Sequence, residues 1–128
     1  MPGKEVDHEY LFIMNENMGL ELNGKLWIEL NGTRLIGPGR VELLERIREC
    51  GSIRQAAIQM SMSYRQAWQM IEDMNARLDS PVVVSQRGGK GGGNAIVTEK
   101  GLQVIAEFKL FYTKFQQFLE KNTLAIKL

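Results

Sequence analysis

Two serines, each followed three residues later by a glutamine, constrain this chain most: Ser52 with Gln55, and Ser63 with Gln66. That is capping-box spacing, in which the Ser oxygen accepts the third amide of a helix and the Gln reaches back to the Ser amide. Two helix starts eleven residues apart leave room for one short helix and a tight corner, Ser61-Met62-Ser63. The small pair Ala56-Ala57 between them suits two helices that cross closely. The pattern predicts helices over 52–60 and 63–78, joined as a helix-turn-helix whose second member enters a DNA major groove. Ser61 stands where many such corners carry glycine, and it is expected to turn through local side-chain bonds.

Apolar spacing extends the helical reading. In 40–50, Leu43, Leu44, Ile47 and Cys50 recur at three- and four-residue intervals, as one buried face requires, and Gly51 suits a left-handed helix end. Ile53, Ala56, Ala57 and Met60 face inward in the next helix. In the third, Ala67, Trp68, Ile71, Met74 and Leu78 fall on one side, with Trp68 read as a core anchor. Cys50 is read as a small apolar residue at a helix end.

Before these helices, residues 20–36 alternate short β-prone runs with Asn23-Gly24 and Asn31-Gly32. Asn-Gly supplies the two positive φ angles of a type I′ turn, so the stretch predicts a β-ribbon of two or three strands. Leu26, Ile28 and Leu30 share one of its faces. After the helices, Val82-Val83-Val84 and Ala95-Ile96-Val97 bracket Arg87 and the run Gly88-Gly89-Lys90-Gly91-Gly92-Gly93-Asn94, a hairpin over 82–98 that reads as a wing. A phosphate-binding loop fails on context, because the lysine precedes Gly rather than Ser or Thr and the loop leads into a strand. Thr98 caps a last helix over 99–121. On it Val104, Phe108, Phe111, Phe115 and Phe118 keep the four-three spacing of a helix–helix seam, read as a homodimer contact. Cover by the ribbon within one chain is the competing reading.

The fold class that follows is mainly α with small β: a winged helix-turn-helix with an N-terminal β-hairpin and a long C-terminal helix. Residues 1–19 read as an arm and 20–128 as a single domain. The candidate DNA contacts are Ser52 and Arg54 in the first helix of the pair, then Ser63, Tyr64, Arg65, Gln66 and Gln69 in the first two turns of the second. Arg87 and Lys90 of the wing complete the set. Arg pairs bidentately with guanine and Gln with adenine, which is why these residue types matter at a groove-facing helix end. Gln66 is also wanted by the cap. Glu72 and Asp73 would repel phosphate and confine contact to the N-terminal half of that helix.

Charge alone is a weak pointer, since the net formal charge is +1. Its distribution is polarised, from −3 over residues 1–39 to +2 over 40–100 and +2 over 101–128. The single His8 and single Cys50 lie far apart, and no metal-ligand or catalytic spacing emerges, so an enzyme is not expected. No apolar run approaches the ~20 residues that span a bilayer, and no secretory signal opens the chain, so a cytoplasmic location is expected.

The stretch Gly51-Ser52-Ile53-Arg54-Gln55-Ala56-Ala57, then Ser63-Tyr64-Arg65-Gln66-Ala67-Trp68, then 88–101, resembles the DNA-binding domain of the ModE family of molybdate-responsive transcription regulators. The resemblance runs from about Gly37 to about Phe118. It implies a dimeric winged helix-turn-helix on a pseudo-palindromic operator, with a recognition helix opening at Ser63 and a wing over 88–94. Full-length members of that family continue into molybdate-binding domains. This chain ends at Leu128 and resembles the short, stand-alone members, so no molybdate or other cofactor is expected. A winged-helix protein-interaction module without DNA binding is the alternative.

Overall fold

The computed structural model describes residues 18–86 and 94–128. They fall in two compact units, one formed by Leu26–Phe111 and the other by Met1–Lys25 with Tyr112–Leu128. The last helix contributes to both.

The first unit opens with the strands β1 (Ile28–Leu30) and β2 (Thr33–Ile36), paired antiparallel with a register shift between Ile28 and Glu29. Asn31 and Gly32 take φ of 52° and 81°, the left-handed pair that a type I′ turn requires. Leu26 and Leu30 pack against the core, whereas Ile28, expected on the same face, is exposed beside the irregular register. Helix α1 (Pro38–Cys50) starts two residues before the predicted Arg40, because Pro38 fits a first turn whose amides have no helical partner. Its buried face is Val41, Leu43, Leu44 and Ile47. Removing three such side chains as Leu43, Leu44 and Ile47 fully from water contributes roughly 1.5–3 kcal/mol each. Cys50, predicted on that face, is instead exposed, because α1 ends there in Gly51 at φ 69° and the core lies behind Ile47.

Helices α2 (Ile53–Gln59) and α3 (Tyr64–Arg77) follow, then the antiparallel pair β3 (Val83–Gln86) and β4 (Asn94–Val97), then α4 (Glu99–Thr123). Ala56, Ala57 and Ala67 are buried where the two short helices meet, and without long side chains there the backbones approach closely. Val82, Val83 and Ala95 from the hairpin, and Ile105 and Phe108 from α4, join the same core. β4 is also tied to the entry of α2, as Ala95 N–H donates to the Gly51 carbonyl at 2.9 Å.

Of the two or three strands expected over 20–36, two form, and the second unit adds no third strand among its described residues. Residues 20–27 form no strand, and Asn23-Gly24 makes no turn between strands. Leu22 N–H donates to Thr123 Oγ1 at 3.0 Å, and a Cβ on Gly24 would lie 2.8 Å from the Phe115 ring tip. Gly24 therefore answers a close approach to an aromatic ring rather than a positive φ. Thr123 Oγ1 donates in turn to the Leu119 carbonyl at 2.7 Å, which closes the last turn of α4 two residues beyond the predicted end.

Candidate nucleic-acid interface

The serine half of each predicted capping box forms. Ser52 Oγ accepts Gln55 N–H at 3.1 Å and Ser63 Oγ accepts Gln66 N–H at 3.0 Å, which satisfies a helix-end amide that would otherwise need water. The corner between them is made by backbone bonds. Ser61 N–H donates to the Ile58 carbonyl at 3.0 Å and Met62 N–H to the Ala57 carbonyl at 3.0 Å, with Ser61 itself at φ 55°. That is a Schellman ending with a serine in the left-handed position that glycine usually fills. It replaces the side-chain bonding expected of Ser61.

The caps fix the direction of α3, whose buried side is Ala67, Ile71 and Met74. Tyr64, Arg65, Gln66 and Gln69 are exposed within its first two turns. Arg54 of α2, also exposed, sits over the Tyr64 ring at 5.4 Å from its centroid, so the two helices present one continuous rim. Ser52 and Ser63 sit at the helix starts with their oxygens accepting cap bonds, and each hydroxyl keeps a hydrogen to donate. Ser52, Arg54, Ser63, Tyr64, Arg65, Gln66 and Gln69 are thus gathered by α2 and α3, while Arg87 and Lys90 lie outside the described residues.

Trp68 departs from its predicted place. It is 45% exposed, on the same side of α3 as Arg65 three residues before it, and is not a core anchor. The apolar stripe runs instead through Ala67, Ile71 and Met74, with Met70 and Leu78 half-buried against the same core.

Beyond the first two turns a charged clamp holds α3 in place. Asp73 Oδ2 accepts from Arg40 at 2.6 Å and from Arg77 at 2.9 Å. Arg77 also donates to the carbonyls of Arg34 at 2.9 Å and Thr33 at 3.0 Å, and so fastens the β1–β2 hairpin to α3. The Arg40 hydrogen bond holds the Asp73 carboxyl below its ordinary value; partial burial opposes this, and Arg77 adds to it. Asp73 is therefore an internal anchor rather than the free repulsive charge expected, and Glu72 alone stays exposed on that turn. The Asp73–Arg77 pair at i,i+4 was a sequence signal for this role. Asn75 supplies a second anchor, accepting Val82 N–H at 2.7 Å and donating to the Val83 carbonyl at 3.1 Å, which sets the wing strand against α3.

Thr98 joins wing and last helix as predicted: its hydroxyl donates to the Pro81 carbonyl at 2.5 Å and accepts Gly101 N–H at 3.1 Å. The seam residues of α4 divide. Phe108 is 3% exposed and belongs to the core of the first unit, and this burial withdraws it from the predicted seam. Val104 is half-buried against the same core, and Phe115 is half-buried with its ring at Gly24. Phe111 and Phe118 are 48% and 56% exposed.

Residues 39–102, half of the chain, match the family described as bacterial regulatory helix-turn-helix protein, lysR family. The chain belongs to that family. The chain is 42% identical over 81 residues to the molybdenum-pterin-binding protein MopB of Rhodobacter capsulatus, covering 63% of this chain and 30% of that protein. It is 36% identical over 85 residues to the DNA-binding transcriptional dual regulator ModE of Escherichia coli K12, covering 66% of this chain and 32% of that protein. The ModE-type resemblance of the helix-turn-helix is thus borne out, and the chain spans about a third of the length of these relatives. A solved structure of a Lactococcus lactis ZitR variant superposes with a TM-score of 0.50 at 15% identity, covering 93% of this chain and 81% of that one. That likeness bears on the fold, and the winged helix-turn-helix class stands. Among the described residues no helix is long and apolar enough to cross a membrane, and no group of three or more His, Cys, Asp or Glu could hold a metal ion.

Proposed function

We propose that this LysR-type helix-turn-helix chain is a sequence-specific transcription regulator that binds double-stranded DNA as a homodimer on a palindromic operator. The supporting observation is the exposed first half of α3. Two formed caps and a Schellman corner aim it, Arg40, Arg77 and Asn75 brace the second half of the helix, and Tyr64, Arg65, Gln66 and Gln69 are left exposed. Base-reading groups on a braced helix end suit the major groove, where Arg and Gln can distinguish guanine and adenine. Arg54 beside Tyr64 is placed to meet the flanking phosphates, and such contacts position the helix without specifying sequence.

Dimerisation supports the palindrome, since two recognition helices must sit about 34 Å apart to meet successive major grooves. We assign the contact to α4 with Phe111 and Phe118 at its centre, Val104 and Phe115 at its margin, and Phe108 excluded by burial. The testing experiment is selection of bound sequences from a random duplex pool, followed by titration of the selected duplex at rising salt. A palindromic consensus with affinity that falls steeply with salt supports the reading. An unenriched pool with no salt-sensitive binding refutes it, and leaves a protein-interaction module.

A further inference from the structure

We infer that Trp68 is a sequence-reading side chain of the recognition helix, taking the C5-methyl group of a thymine in the major groove as its ligand. The inference rests on the DNA-binding role proposed above and names a residue that role does not use. Trp68 is half-exposed on a helix whose core contact is made by Ala67, Ile71 and Met74, with Met70 and Leu78 half-buried beside them. The other tryptophan shows how this fold engages such a ring at its surface: Trp27 donates its indole N–H to Glu29 at 2.8 Å and is covered by the Arg34 guanidinium at 4.0 Å. Trp68 lies one turn after Arg65 and next to Gln69 in sequence, and residues three apart on a helix are surface neighbours. The exposed strip therefore offers a broad apolar surface beside the Arg65 guanidinium, with Gln69 one turn on from Arg65.

Among the groups on the major-groove floor, one is apolar, the thymine methyl, and it is read by apolar contact. An indole beside a guanidinium matches a step in which thymine neighbours a base held by Arg65. The exposure of the ring before binding is then the cost of having an apolar reader on the helix. Bound, the methyl and the ring edge leave water together.

The test is a double-mutant cycle between protein and DNA. Thymines of the selected duplex are replaced singly by deoxyuridine, which deletes only the methyl, and affinities are measured for the wild type, Trp68→Ala and Trp68→Phe. The expected result is one thymine per half-site at which uridine weakens the wild type about fourfold, as the burial of one methyl implies, and leaves Trp68→Ala unaffected. Near-ultraviolet circular dichroism confirms that each variant is folded. Trp68→Phe carries the test should the alanine variant unfold, with a reduced response at the same thymine. Equal affinity of Trp68→Ala and wild type for the selected duplex overturns the inference, and so does a uridine profile identical in all proteins. In both cases the DNA-binding role itself survives. Failure of the wild type to select any duplex removes that role and this inference together.

Discussion

Gly101→Ala separates geometry from helix propensity, because the two predict opposite signs. In an exposed helix interior, alanine is more favourable than glycine by about 1 kcal/mol. Gly101 occupies the first turn of α4, where a Cβ would overlap the Val82 carbonyl oxygen and the Val97 Cγ1. The Val82 carbonyl is backbone that cannot rotate aside, and it already accepts Thr98 N–H at 3.0 Å. Relief of the overlap must move α4 away from the strand pair, straining a packed contact at about 1–3 kcal/mol. It also weakens the Thr98–Val82 bond, worth about 1 kcal/mol. Against the propensity gain, the net expectation is a loss of about 1–3 kcal/mol. Urea unfolding followed by circular dichroism reads this directly, as a lower midpoint with an unchanged slope. A variant as stable as the wild type, or more stable, would refute the close approach of α4 to the wing and with it the packing derived for this corner.

Three further outcomes follow from the same contacts. Ser61→Gly should raise stability by about 0.5–1 kcal/mol in the same assay, since glycine accepts φ 55° without the serine's Cβ penalty and gives back part of that gain as chain entropy. Asp73 has a folded-state pKa below its ordinary 3.8, so the stability it contributes is fully present above that value and lost as pH falls through the lowered one. Asp73→Asn should therefore be less stable than wild type at pH 7 and flatten the stability–pH curve below about pH 4, with a modest amplitude because the group is partly solvated. Asn75→Ala should cost about 1–3 kcal/mol by leaving the Val82 amide and Val83 carbonyl without their partner, measured by thermal or urea melting.

Local chemistry made much of this fold legible. The two Ser–Gln starts, the Asn31-Gly32 turn, Gly51 at the end of α1 and Thr98 before α4 each depend on residues within a few positions of one another, and each forms. What failed depended on distant partners. Asn23-Gly24 carries the same turn signal as Asn31-Gly32, but what Gly24 meets is Phe115, more than ninety residues away. Trp68 and Phe108 both sit at the edge of a broad apolar stripe, and only the width of the opposing surface decides which is covered. Periodicity says how many faces a helix could bury and not how many neighbours it will find. Asp73 looked like a free acid next to Glu72 because Arg40, thirty-three residues earlier, gives no local sign of reaching it.

The central claim is that the exposed first half of α3 reads bases, and Arg65→Ala tests it most directly. Fluorescence anisotropy on the selected duplex and on an unrelated duplex, at matched salt, compares the variant with wild type. The account predicts a loss of about 1–3 kcal/mol on the selected duplex, roughly 5- to 150-fold in affinity, with binding to the unrelated duplex little changed. Unaltered affinity for the selected duplex, or an equal loss on both, would contradict it.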